Sequence, residues 1–414
     1  MPIKVFLKMY KGLPKSIYVL FLARMINTLG NFVYPFLTIF LTDKLNMSHS
    51  ITGIFVTSAA LATVPGALVG GKLADHVGRK KVMVAAQGLA ALCFVPCAFL
   101  GKSMMVPYLL ILSGMFNGAV VPANTAMVTD LTNEKNRKTA FSFLYLGSNI
   151  GFAVGPLVAG YLYNHYIYLL FLGNAVAIFI SMILILKFVK ETMPCKRKIK
   201  EEHRFKKSNE KAEEGNLFQV LLRRPELLIF TLISAAYSFV HAQCGFTTPI
   251  QVKSIFGIEG PKLYGTLMTV NGVVIVFMTT IIIGITKKIS PVLNIAVGGI
   301  FFAAGFGMLS FAEHYMLFII STIIWSCGEV LFTTNSGVYI ASHTPITHRA
   351  RFNSIVPFIS SAGYALAPII MGWYLKYKDI RSAWVLVFII SLTAAGLMYL
   401  LYLDEKKKIK EGKL

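Results

Sequence analysis

Glu329 stands in "IIWSCGEVLFTTN" (323–335), inside a 25-residue stretch, 316–340, that holds no other charge. A carboxylate at the middle of an apolar helix of spanning length costs about 2.5–3.5 kcal/mol on insertion scales. Acids kept at such a cost pair with cations, face water or carry protons. Of the 18 acidic residues this one alone lies deep in an apolar run, so it is the first candidate for taking up and releasing a proton. His241, in "AAYSFVHAQCG" (235–245), is the second. An imidazole titrates near neutral pH, and it reads either as a hydrogen-bonded structural residue or as a proton relay.

Polar side chains recur at helical spacing in other apolar runs. Arg24, Asn27, Asn31 and Tyr34 are three, four and three residues apart, which is one helix face. Asn117 and Asn124 follow Ser113, and Tyr145 and Asn149 follow Ser142. Tyr237 precedes His241 by four, Thr333 follows Glu329 by four, and Asn271, Asn353 and Tyr364 add three further runs. Hydrogen bonds between helices explain any single stripe. Taken together, polar stripes in lipid are expected to face a shared interior, here a candidate substrate cavity. Arg24 has its own two readings: snorkelling to the surface, or ordering the cavity floor and meeting an anionic group.

The elements that must position these residues are membrane helices. The 414-residue chain is 56% hydrophobic and 14% charged. Apolar runs of spanning length place helices near 16–42, 50–74, 82–101, 105–129, 139–163, 166–189, 226–252, 263–286, 291–312, 316–341, 352–375 and 382–403. An all-α membrane protein of twelve transmembrane helices is therefore expected. The net charge of +22 suggests nucleic acid until its location is checked. Of 40 basic residues, 32 fall in alternate loops and the termini, seven in the opposite loops, and Arg24 within the first span. That split orients the chain with both termini cytoplasmic and removes the case for nucleic acid. The first apolar stretch is too long for a cleavable signal. Cys93 and Cys97, four apart with no histidine or carboxylate near, read as packing residues rather than metal ligands. Neither a metal nor a cofactor is expected, and no nucleophile–base set points to enzymatic chemistry.

A charged segment separates two similar halves: 1–189, a cytoplasmic linker at 190–224, and 225–414 with a basic tail. Arg137 precedes Pro156 by 19 residues, as Arg349 precedes Pro368. With that offset of 212, Gly151 falls on Gly363 and Gly160 on Gly372. This is the pattern of a duplicated six-helix unit in a rocking transporter. The same offset lays Glu329 on Asn117, so the position is polar in both halves and ionisable in one.

Two motifs carry a resemblance. "GGKLADHVGRKKV" (70–82) resembles the loop 2–3 signature of the major facilitator superfamily. Gly71 suits close helix approach, Gly78 a tight turn, and Asp75 a helix N-terminus, with Arg79 expected to reach Asp130. The resemblance implies that Gly71, Asp75, Gly78, Arg79 and Asp130 form a latch holding the halves together in the outward-facing state. His76 departs from the family's basic residue. "GSNIGFAVGPLVAG" (147–160) resembles the fifth-helix motif of proton-driven drug exporters, with Gly147, Gly151, Gly155, Pro156 and Gly160 in place and Ala159 for a glycine. The glycines, four apart, make a groove on one face. Over nearly the whole chain the pattern is similar to the twelve-helix drug:proton antiporter branch, nearest to LmrP-like multidrug transporters. In that group an acid at the position of Glu329 takes part in drug and proton handling.

The expected function is proton-coupled export of lipophilic, cationic small molecules by a plasma-membrane protein, with protons and membrane lipids as its other partners and a monomer as the working unit. Export or flipping of an endogenous amphiphile such as a glycolipid, with Arg24 on an anionic head group, is the alternative; another small metabolite is a further one.

Overall fold

In lipid every backbone amide must find its partner inside the segment, which leaves long apolar runs little choice but helix. The computed structural model describes residues 10–193, 225–343 and 349–411, and among them there is no strand. Fourteen α-helices follow in order. They are α1 (Lys15–Leu29), α2 (Val33–Ile39), α3 (His49–Val77), α4 (Arg79–Leu100), α5 (Met105–Leu131), α6 (Glu134–Leu162) and α7 (Ile167–Phe188). The later ones are α8 (Pro225–Ala242), α9 (Thr247–Phe256), α10 (Gly260–Thr286), α11 (Pro291–Gly307), α12 (Tyr315–His343), α13 (Arg349–Tyr377) and α14 (Ile380–Lys410). Eleven described stretches are long and apolar enough to cross a membrane, and one of them, Pro225–Thr286, has 62 residues, room for the seventh and eighth spans together.

The first and seventh spans are not the continuous helices expected. The first breaks at Gly30, where α1 ends, and resumes as α2 with a π-helical end at Phe40–Lys44. Pro35 is the cause: it has no N–H to give the Asn31 carbonyl, and its ring crowds that position. The seventh breaks between Ala242 and Thr247, where the backbone N–H groups of Thr247 and Thr248 both turn back to the Gln243 carbonyl. Pro249 stands in the same relation to Gly245. Under the offset of 212, Gly30 falls on Ala242, so both halves break at one place.

The linker call at 190–224 lies outside the described residues from 194 onward. Contacts divide the chain into two compact units: Met1–Ser48, Ile54–Glu201 and Val252–Gly272 form the first, and His49–Gly53, Glu202–Gln251 and Val273–Leu414 the second. The expected cut at the linker is therefore crossed by two short exchanges, and glycines explain both. In the first unit a Cβ on Gly265 would overlap the Pro156 carbonyl, and one on Gly160 would meet the Pro261 carbonyl. In the second, a Cβ on Gly53 would overlap the Pro368 carbonyl, and one on Gly372 the His49 carbonyl. Every one of these residues is the 212-residue counterpart of another in the set.

Each unit is closed by aromatic packing. Phe143 stacks on Phe21 at 4.0 Å and meets Tyr18 edge-on in the first. In the second, Phe306 lies between Trp325 at 5.3 Å and Trp384 at 5.9 Å. The Trp384 indole donates to Gln251 at 2.7 Å, and Gln251 donates to the Leu309 carbonyl at 2.8 Å. That stack fixes Trp325, one turn before Glu329.

Candidate functional site

His241 occupies the last turn of α8 because the chain breaks immediately after it. On α12, Gly328 lies against the backbone of α11 near Gly298, where a Cβ would stand 2.7 Å from the Gly298 carbonyl. Two glycines in register let the helices touch at backbone distance and set the height of Glu329. His241 Nε2 and Glu329 Oε2 are then 3.4 Å apart, with side chains 28% and 21% exposed. This is ion-pair reach, longer than a tight N–H···O bond. Trp325, Phe302 and Tyr364 hold the imidazole at ring distances of 5.9, 6.2 and 6.0 Å. Trp325 and Phe302 are buried, whereas Tyr364 is 45% exposed.

Other sequence candidates in this unit fare differently. Thr333, one turn on from Glu329, is exposed. Tyr237 is not a lining residue: it is fully buried, with its hydroxyl pressed against Gly299. The glycine leaves a hole that only a large ring fills, so the four-residue spacing to His241 reflects packing. Asn353 lies on α13 where the side chains fall outside the described residues. Asn271 is buried on α10 and counts with the first unit, so it too is a packed polar group rather than an open lining one.

In the first unit Arg24 donates through Nε to Ser148 Oγ at 2.8 Å, which ties α1 to α6. The break at Gly30 puts Asn27 and Asn31 on opposite sides of a discontinuity, so the single face expected from Arg24 to Tyr34 is not one helix face. Tyr34 on α2 donates to the Leu110 carbonyl at 3.2 Å and meets Phe94 edge-on. Asn117, the counterpart of Glu329, donates to Ser113 Oγ one turn earlier at 3.4 Å. The amide also lies within hydrogen-bond reach of the Tyr34 hydroxyl, so both counterparts meet a side chain of another helix. Asn149 likewise donates to the Tyr145 carbonyl at 3.0 Å, Tyr145 is half-exposed, and Asn124 is partly buried.

The loop after α3 is built around Gly78, whose φ of +121° suits only glycine. Arg79 reaches Asp130 at 3.1 Å, Asp75 at 3.5 Å and the Ala74 carbonyl at 3.1 Å, and is 8% exposed. Two expectations need correction. Gly71 meets Pro122 only at ordinary contact distance, and the close approach to α5 falls at Gly66 and Gly70. Nor does Asp75 serve the N-terminus of α4. Glu191 does, taking the backbone N–H groups of Lys80 at 3.2 Å and Lys81 at 3.4 Å, while Thr192 donates to Asp130 at 3.1 Å. Sequence reading missed both because they open a charged run that looks like a solvated linker.

Partial burial works to raise the Glu191 carboxyl, but backbone N–H groups of Lys80, Thr192, Lys81 and Met193 outweigh it and hold it below its ordinary 4.5. Its capping is therefore fully present above that value and lost as pH falls through the depressed one. Glu191→Gln is expected to cost about 0.5–1 kcal/mol at neutral pH. In thermal unfolding, the gap from wild type closes once the wild-type carboxylate is protonated.

The fifth-span glycines line up on α1: Gly147 against the Phe21 ring, Gly151 against the Met25 carbonyl and Gly155 against the Leu29 carbonyl. Gly363 of α13 meets Ala235 of α8 in the same manner. A pair absent from the sequence candidates also appears: Lys253 to Asp43 at 2.9 Å, with Lys44 and the Tyr163 hydroxyl on the same carboxylate. Nothing in its spacing signals it.

A family profile described as Major Facilitator Superfamily matches residues 20–330 and 295–413. The chain is 26% identical over 408 residues to the uncharacterized MFS-type transporter YttB of Bacillus subtilis, covering 97% of this chain and 98% of that one. It is 22% identical over 367 residues to a Na(+), Li(+), K(+)/H(+) antiporter of Planococcus maritimus, with 83% and 85% covered. Over a shorter stretch, 35% of this chain and 36% of the other, it is 30% identical to the multidrug resistance protein MdtG of Enterobacter lignolyticus. Among solved structures, a peptide transporter, POT, in complex with sulfate superposes with a TM-score of 0.76 at 17% identity, covering 96% and 95%.

Proposed function

The chain belongs to the Major Facilitator Superfamily, and from that premise we propose that it exports lipophilic, cationic small molecules in exchange for protons, with Glu329 as the coupling acid and His241 as its partner. It is a secondary transporter and not an enzyme. The observation that carries the exchange is the 3.4 Å contact of these two titratable side chains among helices of spanning length.

A glutamate–histidine pair holding one extra proton is neutral as a carboxylic acid beside imidazole or as an ion pair. Without that proton it carries one negative charge. A cation entering beside Tyr364 meets an attractive charge only in the second state, and its positive charge favours release of the proton. Proton and cation thus compete for one charge, and the two bundles reorient with one or the other aboard. Exchange of one proton for one monovalent cation moves no net charge, so the pH difference drives it, and each pH unit supports a cation gradient of about tenfold. In this reading the basic loops and both termini face the cytoplasm across the plasma membrane, the Arg79 cluster is the latch, and the twelve-helix drug:proton antiporter branch, LmrP-like transporters nearest, is the finer placement. The fifth-span motif and the MdtG and Planococcus relatives support it.

Purified protein in proteoliposomes, given a panel of lipophilic cations, inorganic cations and anionic glycolipids, tests the assignment. Lipophilic cations are expected to drive proton flux of opposite direction, and the glycolipids none. Flux with glycolipids alone transfers the role to Arg24 and an endogenous amphiphile; flux with inorganic cations alone restricts the substrate to small ions.

A further inference from the structure

A groove of about 380 Å³ runs along the outside of the first unit between α3, α4 and α5. Every residue lining it is apolar or glycine except Lys81. On α3 it extends from 66 to 77, about 16 Å at 1.5 Å per residue, which is half of a hydrocarbon core about 30 Å thick. Val69, Leu73, Val77 and Leu89 are each between 45% and 49% exposed along it. The groove thus has the depth of one leaflet and ends at the loop bearing Gly78 and the basic residues. Lys81 stands exposed at that end, and its ammonium has no ion-pair partner among the described residues, its backbone N–H alone being taken by Glu191.

We propose that this groove is a binding site for an anionic glycerophospholipid, one acyl chain along α3 and α4 and the phosphate on Lys81. An acyl chain is as well solvated by bulk lipid as by Val and Leu, so the apolar walls hold a chain in place without choosing among lipids. Choice rests on the ammonium. One basic side chain near an anionic lipid surface is worth about 1 kcal/mol, or about five-fold.

Full-length protein equilibrated with equal amounts of phosphatidylglycerol and phosphatidylcholine, then analysed for retained lipid by native mass spectrometry, tests this. Wild type is expected to prefer phosphatidylglycerol about five-fold. Lys81→Gln should abolish the preference and Lys81→Arg keep it. Ala85→Phe, at an exposed lining position, should release retained lipid of either head group. If that variant does not fold, the two Lys81 variants still decide. Equal retention by wild type means annular lipid only and overturns the proposal, as does a preference that survives Lys81→Gln. Release of the retained lipid by a transported cation overturns it as well, since the groove then belongs to the substrate.

Discussion

Glu329→Gln is expected to abolish concentrative export: the cation gradient of about tenfold that one-for-one exchange supports per pH unit falls to unity. The amide keeps the size and hydrogen bonding of a protonated carboxyl but never carries the charge that draws the cation. It resembles Asn117, the counterpart in the other half, which bonds to its own helix. Folding is expected to survive, since the neighbouring packing is set by Gly298, Gly328 and the Trp325 stack. Proteoliposome uptake against an imposed pH gradient measures the loss, and unchanged accumulation rejects the role of Glu329.

A larger effect on stability is expected where helices touch at glycine. Gly265→Leu and Gly53→Leu both drive a side chain into a proline carbonyl, Pro156 in one case and Pro368 in the other. Overpacking of this kind costs about 1–3 kcal/mol, and because the obstacle is backbone the upper end applies. Gly284→Leu, where nothing lies within 4 Å, is the control and should be near neutral. Unfolding in detergent should place the two counterparts alike, both well below Gly284→Leu. Equal stability of all three would mean that these contacts do not hold the fold.

The same glycines show what the sequence made legible. The 212-residue offset was legible on Pro156 and Pro368, and the apolar runs gave the order of helices. The contacts Pro156–Gly265 and Pro368–Gly53 obey the same offset but were not legible, since nothing in the sequence says which glycine meets which carbonyl. The break at Gly30 was hidden because hydropathy is blind to Pro35, which changes hydrogen bonding and not polarity. Glu329 and His241 stood out because charge in oil is costly. Their meeting was not legible, since it depends on where α8 ends and on how closely α11 and α12 approach. Tyr237 misled for the opposite reason: period alone does not distinguish a lining ring from one filling the hole at Gly299. Glu191 was lost in a run of like-looking charge.

Proton release on ligand binding is the most direct test of the central claim. In weakly buffered detergent solution, saturating wild-type protein with a lipophilic cation is predicted to release a proton from the Glu329–His241 pair, read by a pH indicator, and Glu329→Gln is predicted to release none. Release of equal size from both proteins would contradict the account.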